Sequence, residues 1–259
     1  MSAASTPSLQ VLALDTSTEC CSAAVLCRDG RIVLRSTLTE RGHAELILPM
    51  IDAVLAEAGL ALAELDGLAF GRGPGGFTGL RIAAGVVQGL AFGAGLRVAP
   101  VSSLAAVALL STNPSPATAG EDPLNSPTEA GEVSDGILVC NDARMNELYW
   151  GCYRFDPSDP LTPIELCRER VGPAAGVEPA VGVRRFAGNG IGRYPELRAR
   201  LEAAGLRFHD GVYPRADAIA RIGAGMLARG QGVEAAQAVP VYVRDDVARA
   251  PAGPVTGMS

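Results

Sequence analysis

Gly71-Arg72-Gly73-Pro74-Gly75-Gly76-Phe77-Thr78-Gly79-Leu80-Arg81 joins two apolar runs of different character. Residues 65–70 before it read as a buried strand, and the run after it reads as a helix. Glycine and proline at this density mark backbone that bends tightly or lets another segment approach closely. A glycine-rich turn feeding a helix N-terminus is also a natural anion site, and two phosphate templates bear on it. Gly71, Gly73 and Gly76 satisfy G-x-G-x-x-G, but no acidic residue stands about twenty positions on, where a ribose partner belongs. Gly71 and Gly76 also fit the phosphate-loop spacing, yet Phe77 occupies the lysine position before Thr78. Gly73, Pro74, Gly75, Gly76 and Thr78 are therefore expected to form a structural strand-to-helix turn rather than a nucleotide cradle.

The helix that follows carries Gly85, Gly89 and Gly93 at four-residue spacing, hence on one face. Each glycine costs a helix about 1 kcal/mol relative to alanine, so a compensating close approach by another helix is expected there. The run is read as too short, and too interrupted by Gln88, to span a membrane.

The chain has 259 residues, 48% hydrophobic and 19% charged, enough to bury a sizeable core. A net charge of −6 argues against autonomous nucleic-acid binding, which needs a basic surface. Residues 1–10 lack a basic segment followed by an apolar core, so no secretory signal is expected. None of the six cysteines forms C-x-x-C, which fits buried thiols in a reducing cytoplasm. Only His43 and His209 are present, without ligand spacing, and no metal is assigned.

Taken in order, residues 9–15, 22–28 and 31–38 read as strands, with a hairpin signal at Asp29-Gly30. Residues 44–60 form a helix with a wide apolar stripe through Ile47, Met50, Ile51, Val54 and Leu55, suited to burial on more than one side. Pro49 fits only near its start or kinks it, and Gly59 is a C-terminal stop. A strand at 97–101 closes a β-β-β-α-β-α-β half, residues 1–110. Residues 111–135 are rich in Pro, Ser, Thr and Gly and read as a low-complexity surface insertion. The second half, 136–259, offers strands at 137–141, 148–155, 164–171 and 183–187, helices at 196–204 and 216–227, and a tail with a frayed end.

Both halves begin with a strand that ends at an aspartate, Asp15 and Asp142, followed by a polar turn and returning strands. This internal duplication of a βββαβα-type unit predicts an α/β protein of the ASKHA (actin, Hsp70, sugar-kinase) architecture. There two hairpins hold ATP phosphates and acidic residues hold the metal through water. Neither turn here contains glycine, so Asp15, Thr16, Ser17 and Asp142 are expected to be relict phosphate-turn residues. An ASKHA-fold ATPase or kinase acting through Asp15 and Asp142 is the alternative. A peptidase is disfavoured, because no nucleophile motif accompanies the two histidines.

Leu14-Asp15-Thr16-Ser17-Thr18, Arg41-Gly42-His43 with Leu48-Pro49-Met50-Ile51, and the 71–81 stretch resemble the TsaB (YeaZ) family. So do Asp142-Ala143-Arg144-Met145 with Glu147-Leu148-Tyr149-Trp150, and Pro240-Val241-Tyr242-Val243-Arg244. The resemblance spans nearly the whole chain outside the insertion. It implies a cytoplasmic, non-catalytic scaffold with a degenerate nucleotide site, required for N6-threonylcarbamoyladenosine (t6A) on tRNA. It implies dimerisation with a catalytic TsaD paralogue, recruitment of the ATPase TsaE, ATP used by the complex and not held tightly by this subunit, and tRNA reached through the complex. The partner face it implies lies on the two front helices: His43, Ile47, Met50, Ile51, Val54, Leu55, Arg81, Gly85, Gly89 and Gly93. An uncovered face of this kind predicts a homodimer when the chain is alone. The catalytic paralogue's two metal histidines are one helical turn apart, whereas here Ile47 lies one turn after His43. Two departures stand out: Gly76 where the family has serine, and a longer insertion.

Overall fold

The computed structural model describes residues 9–112, 135–209 and 211–243. Alternation and short apolar runs form the first sheet from β1 (Val11–Asp15), β2 (Cys20–Leu26), β3 (Ile32–Leu38), β4 (Gly67–Gly73) and β5 (Val98–Ser102). Its strand order is β3-β2-β1-β4-β5, with β1 antiparallel to β2 and parallel to β4. The second sheet comprises β6 (Gly136–Asp142), β7 (Glu147–Asp156), β8 (Asp159–Pro173), β9 (Val183–Ala187) and β10 (Arg207–His209). Its order, β8-β7-β6-β9-β10, retraces the same path. The duplication is therefore real at the level of topology. It is incomplete in one place: α1 (His43–Ala58) links β3 to β4, whereas a single 3-10 turn, Ala174–Gly176, stands in the link from β8 to β9.

The helices build the layers. α1 and α2 (Phe77–Ala94) cover the outer face of the first sheet, through Ile47, Ile51, Val54, Ala83, Val87 and Ala91. α4 (Pro195–Ala203) covers the second sheet through Leu197 and Leu201. Between the sheets lie α3 (Ser103–Thr112) and α5 (Ala216–Ala228), which share one apolar cluster with the inner faces of both sheets. α3 rests mainly on β6 and its neighbours, while α5 rests on the first sheet. A Cβ on Gly223 would lie 2.5 Å from the Ala69 side chain, so small residues bring α5 hard against β4.

Several expectations change. β4 runs on to Gly73, so Gly71 and Gly73 belong to the strand and the turn proper is Pro74-Gly75-Gly76. α3 extends from Ser103 through Thr112, into the stretch read as insertion. The 113–134 part of that insertion and the 248–259 end, expected to fray, lie outside the described residues, as do residues 1–8. Residues 156–163 are mostly strand, turning at Pro157-Ser158. Pro49 lies inside α1 on an exposed face, and Gly59 closes the helix in the left-handed conformation, at φ 70°.

α2 is long and apolar enough, by length and composition, to cross a membrane, contrary to the reading from its sequence. Its inner stripe packs on the chain's own sheet, as a cover helix does. Its glycine stripe faces outward: Gly85, Gly89 and Gly93 are exposed, and a Cβ on any of them would meet nothing within 4 Å. Gly79, in the same helix, differs, since its Cβ would fall 1.9 Å from the Thr16 carbonyl oxygen. Opposite outcomes follow for one substitution type. Gly89→Ala should raise stability by about 0.5–1 kcal/mol, whereas Gly79→Ala should lower it by about 2–3 kcal/mol, as read by urea unfolding.

Candidate functional site

The turn after β1 is organised by Asp15. Its Oδ1 accepts the Ser17 amide at 2.9 Å and the Ser17 hydroxyl at 2.7 Å, and its Oδ2 accepts the Ser103 hydroxyl at 3.2 Å. The carboxylate is fully buried, and burial lifts its pKa from 3.8 to about 6. The glycine stretch lies flush on this turn. A Cβ on Gly71 would sit 1.7 Å from Asp15 Oδ2, and one on Gly75 would sit 2.4 Å from the Ser17 carbonyl oxygen. The Gly76 amide donates to that same carbonyl at 2.7 Å, and the Thr16 hydroxyl donates to the Gly79 carbonyl at 2.7 Å. Gly71, Gly75 and Gly79 are thus explained by contact with the hairpin.

The second hairpin is braced differently. Arg144, Met145 and Asn146 take left-handed backbone, at φ 63°, 52° and 58°, a conformation that costs about 1–2 kcal/mol for a residue with a side chain. The turn closes on itself: the amides of Ala143, Arg144 and Glu147 donate to Glu147 O, Asp142 Oδ1 and Arg144 O, and the Asp142 amide donates to Asn189 Oδ1. The Asp142 carboxylate pairs with Arg144 at 3.3 Å and Arg193 at 3.4 Å. Glu19, from the first turn, joins Arg144 and the Asn189 amide at 3.2 Å, tying the two hairpins together.

β1 and β6 end at Asp15 and Asp142, but strand register puts the two aspartates on different faces of their sheets. Leu12 faces Leu68 and Ala13 faces Ala69 in the first sheet, as Leu138 faces Phe186 and Val139 faces Ala187 in the second. One residue along from Ala13 and Val139 are Leu14 and Cys140; the next pair is Asp15 and Asn141. Ile137 and Val139 belong to the inner apolar cluster, so alternation places Asn141 on the inner face and Asp142 on the other. The inner counterpart of Asp15 is thus an amide. Asn141 is buried, with neither side-chain polar atom bonded to protein. Because Ser17, Ala143 and Arg144 amides are taken within their own turns, these residues do not fit a triphosphate held between the hairpins.

Between the hairpins and the start of α1 and α2 lies a cleft of about 1140 Å³, whose walls include Glu19, Arg41, His43, Thr78, Arg144 and Tyr242. His43 is bound through Nε2 to the Thr18 carbonyl at 2.9 Å, and Ile47 one turn on is buried, so His43 serves as a packing residue of the turn. Among the described residues no three His, Cys, Asp or Glu side chains converge as a metal site.

Two further features, the contacts of Glu169 and those of the C-terminal strap, were not read from the sequence. In β8, Arg168 and Glu169 together oppose Gly151, a bulge that turns Glu169 toward the first half. There Glu169 accepts from Ser102 Oγ and from Tyr153 OH at 2.8 Å, and pairs with Arg72 at 3.4 Å. The second feature is a strap, residues 238–243. The Gln88 amide donates to Ala238 O at 3.0 Å, and the Val241 amide donates to Arg72 O at 2.8 Å. The Tyr242 ring meets Phe77 at 5.3 Å, and the Arg81 guanidinium lies 3.8 Å above the Phe77 ring while its Nε donates to the Tyr242 hydroxyl.

The residues expected on a partner face divide. Ile47, Ile51 and Val54 are at most 2% exposed and belong to the chain's own core, so the periodic stripe of α1 marks its inner side. Met50 and Leu55 are half-buried against the same core. Arg81, Gly85, Gly89 and Gly93 are exposed, joined on α2 by Phe77 and by Phe92, 86% exposed.

Two sheets of identical strand order, facing each other across α3 and α5 with a hairpin from each at one end of the cleft, define an ASKHA-type fold. The family model described as "TsaD: tRNA N6-adenosine threonylcarbamoyltransferase" matches residues 35–159. The chain is 34% identical over 250 residues to the tRNA threonylcarbamoyladenosine biosynthesis protein TsaB of Escherichia coli K12, covering 93% of this chain and 96% of that one. The TsaB of Haemophilus influenzae is 46% identical over 144 residues, 55% of this chain and 52% of that one. The solved structure of YeaZ from Pseudomonas aeruginosa superposes with a TM-score of 0.72 at 36% identity, covering 90% of this chain and 99% of that one. The chain belongs to the TsaB (YeaZ) family.

The raised Asp15 pKa has a signed consequence. Below pH 3.8 the carboxyl is protonated folded or unfolded; above about 6 the folded state carries a buried charge that the unfolded state holds in water. Stability from this group is therefore full at low pH and lost as pH rises through about 6. Asp15→Asn, which keeps an acceptor for Ser17, should be more stable than the parent at pH 7.5 by about 2–3 kcal/mol, with the difference fading toward pH 4 in thermal melts across pH.

Proposed function

We propose that this protein is a non-catalytic subunit in the formation of t6A on tRNA. In this reading it pairs with a TsaD-like catalytic subunit and recruits a TsaE-like ATPase. ATP is used by the complex and not held tightly by this chain, and tRNA is reached only through the assembly, in the cytoplasm. Membership of a family named for t6A biosynthesis supports the pathway. The self-closed turns, with Asp142 paired to two arginines and Asn141 at the position matching Asp15, favour a supporting part over the kinase or ATPase alternative.

The observation that carries the pairing is the outward glycine stripe of α2. Gly85, Gly89 and Gly93 form an exposed floor bounded by Phe77 and Phe92, where a second helix can approach to backbone contact. The matched 35–159 region contains both α1 and α2, so a TsaD-like partner would bring comparable helices to a like-with-like contact. The same face allows two copies of this chain to pair when the partner is absent.

Gly89→Arg tests this directly. The exposed site accepts the side chain and arginine favours helix more than glycine, so the fold should hold. Co-elution with the TsaD-like subunit should weaken at least tenfold, about 1.4 kcal/mol. Undiminished co-elution by a folded variant would refute the pairing face.

A further inference from the structure

The second sheet carries a group of thiols away from the cleft. Cys152 on β7 faces Cys167 on β8 in antiparallel register. Directly opposed antiparallel residues have Cα atoms about 4.5–5.5 Å apart, within the about 4.4–6.8 Å that a disulfide spans. Both residues lie in or against the apolar cluster on the outer face of the second sheet. They differ in access: Cys152 is buried, while Cys167 is only half-buried. Cys140 sits nearby on β6 but is fully enclosed. The remaining cysteines, Cys20, Cys21 and Cys27, belong to the first half and are buried.

We infer that Cys152 and Cys167 form a reversible two-thiol oxidation site, in which Cys167 is oxidised by peroxide and Cys152 resolves the product into a cross-strand disulfide. The Cys167 thiolate displaces hydroxide from hydrogen peroxide and becomes a sulfenic acid. The Cys152 sulfur then attacks the sulfenic sulfur, the S–O bond breaks, and the Cys152 proton leaves with the oxygen as water. Peroxide is the oxidant and two thiols are oxidised; a small dithiol reverses the step by exchange. Roles follow from environment. Burial pushes the Cys152 thiol up to about 12, so it stays protonated and unreactive toward solvent oxidants, and acts only on a sulfur already in contact with it.

The location gives the bond a local effect. It would form immediately beside the bulge at Arg168 and Glu169, fixing the strand that aims Glu169 at Ser102 and Arg72. Trp150, the only tryptophan in the chain, belongs to the same apolar cluster and reports on it.

The full chain, reduced and then treated with graded hydrogen peroxide, alkylated and digested, provides the test. The expected result is a Cys152–Cys167 linked peptide, a mass loss of about 2 Da, and a change in Trp150 fluorescence, all reversed by dithiothreitol. Cys167→Ser should abolish all three at the same dose. Cys152→Ser should leave a sulfenic acid at Cys167 that dimedone captures; should that variant fail to fold, Cys167→Ser and the parent still decide. Recovery of Cys167 as a sulfinic acid or in another pairing in the parent, or a link that survives in Cys167→Ser, would overturn the assignment.

Discussion

The contact between the glycine stretch and the first hairpin sets the geometry of the front half. Gly71, Gly75 and Gly79 each place a hydrogen where any other residue would drive a carbon into Asp15, Ser17 or Thr16. Because β4 and the first turn of α2 lie that close to the hairpin, α2 leaves the sheet in a fixed direction, with Leu80, Ala83, Val87 and Ala91 inward and its glycines outward. The same contact closes the Asp15 turn: the carboxylate is walled in by Gly71, Ser17 and Ser103, and its environment favours the uncharged form. One packing constraint thus produces both an uncovered helix face and a hairpin unsuited to phosphate.

Much of this was legible because punctuation and periodicity are local. The three front strands, both front helices and the stop at Gly59 follow from alternation, apolar spacing and glycine placement. α3 was not legible, since it is buried on nearly every side and carries no amphipathic signature against its apolar surroundings. β10 is three residues long, too short for a periodic signal. At the site, β1 and β6 end at Asp15 and Asp142 as the sequence suggests, but the two carboxylates lie on opposite faces of their sheets. Only pairing register, which couples residues far apart in the chain, shows that Asn141 holds the corresponding place. The bulge that redirects Glu169 is invisible for the same reason.

The stripe on α1 shows a second limit. Periodicity says that Ile47, Ile51 and Val54 share a face, and burial shows that this face meets the chain's own sheet. The stripe on α2 reads the other way: its glycines require a neighbour in sequence terms, and the fold supplies none to them. Apolar spacing and small-residue spacing thus carry different information, the one about the interior and the other about a surface left uncovered.

The placing of α3 and α5 bears on how the chain holds together. α3 leaves the first sheet to lie mainly on the strands of the second, and α5, the last helix, returns to lie on the first. Each repeat therefore completes the other's inner layer, and neither retains a closed interior if severed. The molecule is two units by pattern and one by cohesion.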